Sequence, residues 1–252
     1  MSVGAVIVAR NPEDIKLELP CPTVKVTGAM SLNEARNQGA KQLQTDLIAF
    51  VDADNRFDPK ALDMMADAFK VKGVGAVSPV IFDREGGVWF AGGRFNRFGV
   101  ATFDRTRPTA YRLTESFHDV FMVKREAFEK AGGFDSERFP FYLGEADLAE
   151  RIKALGYHFL VDPDALVWHD IEPVKGLKSI ARGAHIRNEQ RAYLVGRNLL
   201  LFLKLHRPKR TFALHIAFVL PVRTVLHVAG MLADHKRNLV KPYLKGIWDG
   251  LK

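Results

Sequence analysis

The stretch "LIAFVDADNRF", Leu47 to Phe57, decides how this chain is read. Five apolar residues run straight into two carboxylates, Asp52 and Asp54, with only Ala53 between them. Such a run predicts a strand buried on both faces. Side chains on a strand alternate with period two, so both carboxylates are expected on one side. Two neighbouring anions repel unless a cation lies between them, and hard oxygen ligands suit a divalent metal. A solvated turn is the competing reading. The chain holds 29 acidic residues, and a second such pair, Asp162-Pro163-Asp164, looks like a turn.

Around this strand, strand and helix signals alternate. "VGAVIVA" and "TVKVTG" read as strands. Ser31, three residues before Glu34, predicts a capped helix through about Leu43. Asp58 followed by Pro59 predicts the start of another, carrying Leu62, Met65 and Phe69. "GVGAVSPVIF" returns to strand. This rhythm implies a mostly parallel α/β sheet flanked by helices. The Gly- and aromatic-rich "GGVWFAGGRFNRFGVATFD" suits a β-ribbon or loops. A short helix (Arg125 to Ala131), a helix holding Leu148, Ile152 and Leu155, and two last strands, "YHFLV" and "ALVWH", complete the body.

Beyond about residue 172 the character changes, so residues 1–172 and 173–252 are read as separate parts. From Val174 to Lys252 there are 16 Lys/Arg and 3 Asp/Glu, whereas the rest of the chain is slightly acidic. The overall charge of +8 therefore belongs to the tail, which points to an anionic partner surface. Its longest stretch free of charged residues, Thr211 to Val222, is too short to cross a bilayer, and Pro221 and Arg223 interrupt it. Basic amphipathic helices on the body or on an anionic membrane are the expectation. The tail's aromatics, including Phe218 and Trp248, lie among aliphatics without a stacking platform, so nucleic acid is not expected. The single cysteine, Cys21, excludes an intrachain disulfide and fits a reducing, cytoplasmic setting. The opening "MSVGAVIVARN" is not built like a signal peptide.

Three further features accompany the carboxylate pair, which sits where open α/β sheets bind ligands. "SLNEARNQGA" places Arg36 early on a capped helix, where phosphate oxygens are well received, although a surface arginine is the plainer reading. "GGFDSERFPFYLGEADLAERI" opens a helix with Glu145 and Asp147. A carboxylate there can act as a general base, while Asp147 can simply pair with Arg151 one turn on. "DALVWHD" ends a strand on His169, which by itself reads as a structural histidine.

Taken in order, "SLNEARNQGA", "IAFVDADN" and "GGFDSERFPFYLGEADLAERIKALGYHFLVDPDALVWH" resemble the family 2 glycosyltransferases of GT-A fold, in particular rhamnosyltransferase-like enzymes. The resemblance covers roughly Met30 to His169, and "YLVGRNLLLFLKLH" is similar to that subgroup's membrane-proximal helices. It implies donor contacts from Asp52 and Arg36, and metal ligation by Asp54 and His169 with Asp52 alongside. It implies a catalytic base at Glu145, where the family normally has aspartate. An acceptor side follows at Gly133, Phe134, Asp135 and Asp147, with His118 and Asp119 able to help. Only about 30 residues precede "SLNEARN", so the family's first βα unit is shortened, leaving Asn11 and Asp14 as candidates for the nucleotide base. The expected activity is an inverting, Mn²⁺- or Mg²⁺-dependent transfer from a UDP-, GDP- or dTDP-sugar to a glycan or lipid-linked acceptor at the inner face of the membrane. The alternative is a non-catalytic GT-A-like subunit that binds sugar nucleotides or glycans. Oligomeric state is left open.

Overall fold

A computed structural model describes residues 1–28, 30–170 and 186–252. The boundary expected at 172/173 lies outside the described residues. The chain separates into two compact units: Met1–Arg94 with Thr102–Pro173, and Phe95–Ala101 with Val174–Lys252.

The first unit is built on a mixed sheet. Strands β1 (Val3–Ala9), β2 (Thr23–Thr27) and β3 (Leu47–Asp52) run parallel. Between β1 and β2 there is a 3₁₀ turn, Pro12–Asp14, and no α-helix. After β4 (Asn55–Phe57) come β5 (Val74–Phe82), β6 (Val88–Phe90), a hairpin of β7 (Gly93–Phe95) and β8 (Ala101–Phe103), and β9 (Arg112–Thr114). The last two strands are β10 (Phe121–Lys124) and β11 (His158–His169). The sheet order is β2-β1-β3-β10-β5-β11-β4, with β10 antiparallel to both of its neighbours.

Helices cover both faces. On β3, Leu47, Ala49 and Val51 point toward α2 (Ala61–Ala68), packing with Leu62 and Met65. Ile48 and Phe50 point the other way, toward α1 (Leu32–Gln42), α3 (Arg125–Lys130) and α4 (Gly144–Ala154), against Ala35, Phe128 and Leu148. A strand buried on both sides needs a continuous apolar run, which is what "LIAFV" supplies.

The local expectations mostly hold, with three differences. Ser31 caps α1 by accepting from the Glu34 amide. Asp58 instead accepts from the Lys60 amide in a turn, and α2 starts at Ala61. The two strands expected at the end of the body are one strand, β11, kinked where its pairing with β5 slips between Val161 and Leu166. There Asp162 accepts from the Asp164 amide, which is how a D-P-D turn becomes a bulge within a strand.

In the second unit, α5 (Glu189–His206) packs along α7 (Val240–Leu251). The backbones come so close that a Cβ on Gly246 would lie 2.0 Å from the Tyr193 carbonyl oxygen, and one on Gly196 2.3 Å from that of Tyr243. Between them lies α6, Lys209–Ala233, 25 residues with a mean hydropathy of 1.8. By length and composition this helix can cross a membrane, contrary to the reading of a twelve-residue limit. Pro221 does not break it, because a π-turn over His215–Val219 precedes the proline at the first turn of the following segment. Arg223 does not interrupt it either, since its guanidinium turns back to the Val195 carbonyl.

Candidate active site

β3 ends at Asp52, and alternation from Ile48 and Phe50 carries the Asp52 side chain to the α1/α4 face. Arg36 waits there on α1, fully buried, with its guanidinium 5.4 Å above the Phe134 ring. Its Nη2 donates to Asp52 Oδ1 at 2.9 Å and its Nη1 to Glu145 Oε1 at 2.6 Å. Glu145 reaches this point because α4 starts hard against α1. A Cβ on Gly144 would lie 1.9 Å from the Asn33 amide nitrogen, which donates to the Phe139 carbonyl. The two residues before α4, Tyr142 and Leu143, are both left-handed (φ 56° and 63°), an uncommon and costly backbone for side chains of this size.

After Asp52 the chain turns over Ala53 and Asp54 into β4, so period-two alternation does not govern the D-x-D pair. Asp54 is placed by pairing instead. β4 runs antiparallel to β11 with Asn55 opposite His169, which brings His169 Nε2 to 3.2 Å from Asp54 Oδ2. The other ring nitrogen, Nδ1, lies 2.9 Å from Asp119 Oδ2. Asp119 precedes β10, where Phe121 pairs with Phe50; two residues further along that antiparallel register, Asp119 falls opposite Asp52. His118 Nδ1 stands 3.5 Å from Asp119 Oδ1. Trp89 walls the cluster, stacked on His118 at 5.0 Å and edge-on to His169 at 5.3 Å.

The charges respond to this crowding. Burial, with Asp119, Glu145 and Asp54 nearby, pushes Asp52 up to about 6 despite Arg36. Burial alone would also raise Asp119, but the imidazoles of His118 and His169 hold it down to about 2. For His169, burial is outweighed by Asp119 and Asp54, which raise it to about 10. Glu145 is buried too, yet Arg36 and then His118 keep it below the ordinary carboxylate range. Arg36 and His118 thus favour the ionised form of Glu145.

Several expectations change. Arg36 is not placed to receive phosphate, because it is buried and both Nη groups hold carboxylates. Asn11 and Asp14 cap their own 3₁₀ turn. Gly133, Asp135 and Asp147 do not join the cluster, and Phe134 touches it only through its ring beneath Arg36. The Gly133 carbonyl accepts from Arg151, Phe134 packs on Phe50 and Phe128, Asp135 accepts from the Arg138 amide, and Asp147 accepts from Arg151 at 2.6 Å. His118 and Asp119 lie in the cluster, beside His169. Sequence reasoning missed Trp89, whose signal was an aromatic pair set between two Gly-Gly steps.

Among the described residues no three His, Cys, Asp or Glu side chains form a complete metal cage. A carboxylate and an imidazole do converge, at Asp54 and His169, beside the second carboxylate of Asp52. That donor set fits a divalent cation which takes its remaining ligands from a diphosphate and water.

The comparisons agree with this geometry. Residues 26–132 match the family described as "Glycosyl transferase family 2", a span holding Asp52, Asp54 and Asp119 but ending before Glu145. Among curated proteins the chain is similar to N-acetylglucosaminyl-diphospho-decaprenol L-rhamnosyltransferase of Mycobacterium tuberculosis, with 28% identity over 55% of this chain and 51% of that protein. It thus spans about half the length of the curated relatives it matches. Among solved structures it is similar to GalNAc-T7 with UDP, GalNAc and Mn²⁺ (TM-score 0.54, 14% identity, covering 93% of this chain and 58% of the other). It is also similar to the mannosyltransferase PcManGT of Pyrobaculum calidifontis with GDP-Man and Mn²⁺ (TM-score 0.52, 12% identity, covering 99% and 86%). Residues 26–132 of the chain are thus similar to glycosyl transferase family 2, and its fold is shared with solved glycosyltransferases of GT-A type.

Proposed function

We propose that this chain is a metal-dependent, inverting glycosyltransferase moving a sugar from a nucleotide-sugar donor to a hydroxyl of a glycan or lipid-linked acceptor. The observation that carries this reading is the meeting of Asp54 and His169 at the carboxyl end of β3, in one cluster with Asp52, Arg36 and Glu145. Mn²⁺ or Mg²⁺ held by Asp54 and His169 would neutralise the departing diphosphate. Glu145, kept ionised by Arg36, takes the proton from the acceptor hydroxyl. The new bond forms from that oxygen to the anomeric carbon as the bond to the diphosphate breaks, on the opposite face, which inverts the centre. Trp89 offers an aromatic wall on which a sugar ring can lie. The nucleotides and Mn²⁺ in the two solved neighbours support the donor class, and the decaprenol-linked substrate of the rhamnosyltransferase supports a lipid-linked acceptor.

The second unit supports a place at the cytoplasmic face of an anionic membrane. Phe218 and Val225 on α6 are 64% and 67% exposed, Lys209 and Arg210 open the helix, and Lys236 and Arg237 follow it. Apolar side chains with basic neighbours are what an anionic bilayer attracts.

Incubation with UDP-, GDP- and dTDP-sugars and Mn²⁺ tests the reading. Metal-dependent donor hydrolysis or transfer is expected with at least one donor. Binding of a sugar nucleotide or glycan without turnover of any donor would favour a non-catalytic subunit, and no metal-dependent binding at all would remove the proposal.

A further inference from the structure

The loop joining β9 to β10 presents a carboxylate whose role the D-x-D reading does not cover. We infer that Asp119 is a positioning residue: it grips His169 Nδ1 from behind, so that Nε2 is the nitrogen turned toward Asp54 and the cation. This rests on the metal-dependent reading of the site given above.

The geometry is asymmetric in a way that assigns the roles. The His169 ring lies between two carboxylates, Asp119 at 2.9 Å from Nδ1 and Asp54 at 3.2 Å from Nε2. The Asp54 side chain is 56% exposed, whereas that of Asp119 is 13% exposed. One carboxylate can swing to a ligand; the other is fixed in the protein. His169 Nδ1 and Asp119 Oδ2 are both buried and, at 2.9 Å, face each other as an ion pair, with no aligned hydrogen bond to any group among the described residues. An imidazole that ligates a metal must give up the proton on the ligating nitrogen and keep the other, and a carboxylate behind the ring decides which. With Asp119 behind Nδ1, that nitrogen keeps its proton when Nε2 gives up its own to a cation.

The backbone supports an assigned role. Asp119 has φ 50°, in the left-handed region where a non-glycine residue is uncommon. Glycine would take that conformation without strain, yet the chain places a buried carboxylate there, between His118 and His169. Ordinary packing does not call for this combination, whereas holding an imidazole does. Trp89, edge-on at 5.3 Å, limits rotation of the same ring from another side.

The test is Mn²⁺ titration of the metal-free protein, followed by the electron paramagnetic resonance of free Mn²⁺. Asp119→Asn and Asp119→Gly are compared with wild type and with Asp54→Ala. Asp119→Asn keeps the size and the left-handed tolerance. Asp119→Gly removes the backbone strain as well as the carboxylate. Both variants should bind Mn²⁺ about 10- to 100-fold more weakly than wild type. Asp119→Gly should do so without a lower melting temperature in EDTA, a separation that a purely structural role would not produce. Mn²⁺ affinity within twofold of wild type in both variants would overturn the inference while leaving the transferase reading in place. Failure of both variants to fold would make Asp119 structural and also overturn it. Wild-type protein with no Mn²⁺ affinity would remove the transferase reading, and this inference with it.

Discussion

Arg36 and Glu145, 109 positions apart in the chain, meet at 2.6 Å, and the same guanidinium holds Asp52 at 2.9 Å. Glu145 and Asp52 are therefore set by one planar fork, whose two ends suit two acceptors. Arg36→Lys should fail to hold both, because a lysine offers a single point charge. Arg36→Met should leave two buried carboxylates unpaired and cost on the order of 3–5 kcal/mol of stability, read from urea melts. Wild-type stability in Arg36→Lys, together with undiminished transfer, would show that the fork is not needed.

Replacing Glu145, the proposed proton acceptor, should differ from replacing Asp54, the proposed metal ligand. Glu145→Gln keeps an oxygen for Arg36 but cannot take a proton. Donor and Mn²⁺ binding by calorimetry should be near normal, and transfer should fall by about 10²- to 10⁴-fold. Asp54→Ala should abolish Mn²⁺-dependent donor binding. A Glu145→Gln variant that turns over normally would place the base elsewhere.

Asp52 gives the metal-free protein a pH dependence of defined sign. Its carboxyl is raised to about 6 in the fold, against 3.8 in an unfolded chain. Between those values the folded state binds more protons than the unfolded one, so stability falls as pH rises from about 4 to 6 and then levels. Two pH units correspond to about 3 kcal/mol before any discount for the partial exposure of Asp52. Asp52→Asn should lack this fall, matching wild type near pH 3.5 and exceeding it at pH 7. Guanidinium melts in EDTA at several pH values read the difference directly.

In the second unit, Gly246→Ala should be destabilising out of proportion to one methyl group. The added carbon would lie 2.0 Å from the Tyr193 carbonyl oxygen, a backbone atom that can move only if α5 and α7 separate. A loss of about 1–3 kcal/mol is expected, seen as an early helical transition by circular dichroism. Gly86, with nothing within 4 Å of its missing Cβ, sits at a positive φ and so is not the control. Ala229→Ser, on an exposed helical position, serves instead and should change little.

Membrane association should follow charge and exposed apolar area. Protein should sediment with vesicles containing anionic phospholipid, lose that binding as salt rises, and lose it in Phe218→Asp. Equal binding to neutral vesicles, or none to either, would speak against the placement.

Some of the site's framework could be read from local pattern. The run "LIAFV" announced a buried strand, and Ser31 and Glu34 marked where α1 begins, whereas the joining of His169 with Asp54 came only from the family resemblance. The strand and the cap depend on near neighbours in the chain, which is where periodicity and capping operate. Arg36 was legible as important but not as buried, since nothing within α1 says that Glu145 will dock onto it.

Composition and periodicity settled the layers of this protein: an apolar strand that must be covered on both faces, helices to cover it, and a basic apolar tail. Long-range pairing settled the chemistry. The register of β11 against β4 carried His169 to Asp54, the register of β10 against β3 carried Asp119 to the same imidazole, and the close seat of Gly144 on Asn33 delivered Glu145 to Arg36. Hydrophobic burial is nearly indifferent to which residue faces which. Hydrogen-bond registers and backbone contact are not, and they exist only once the chain has closed on itself.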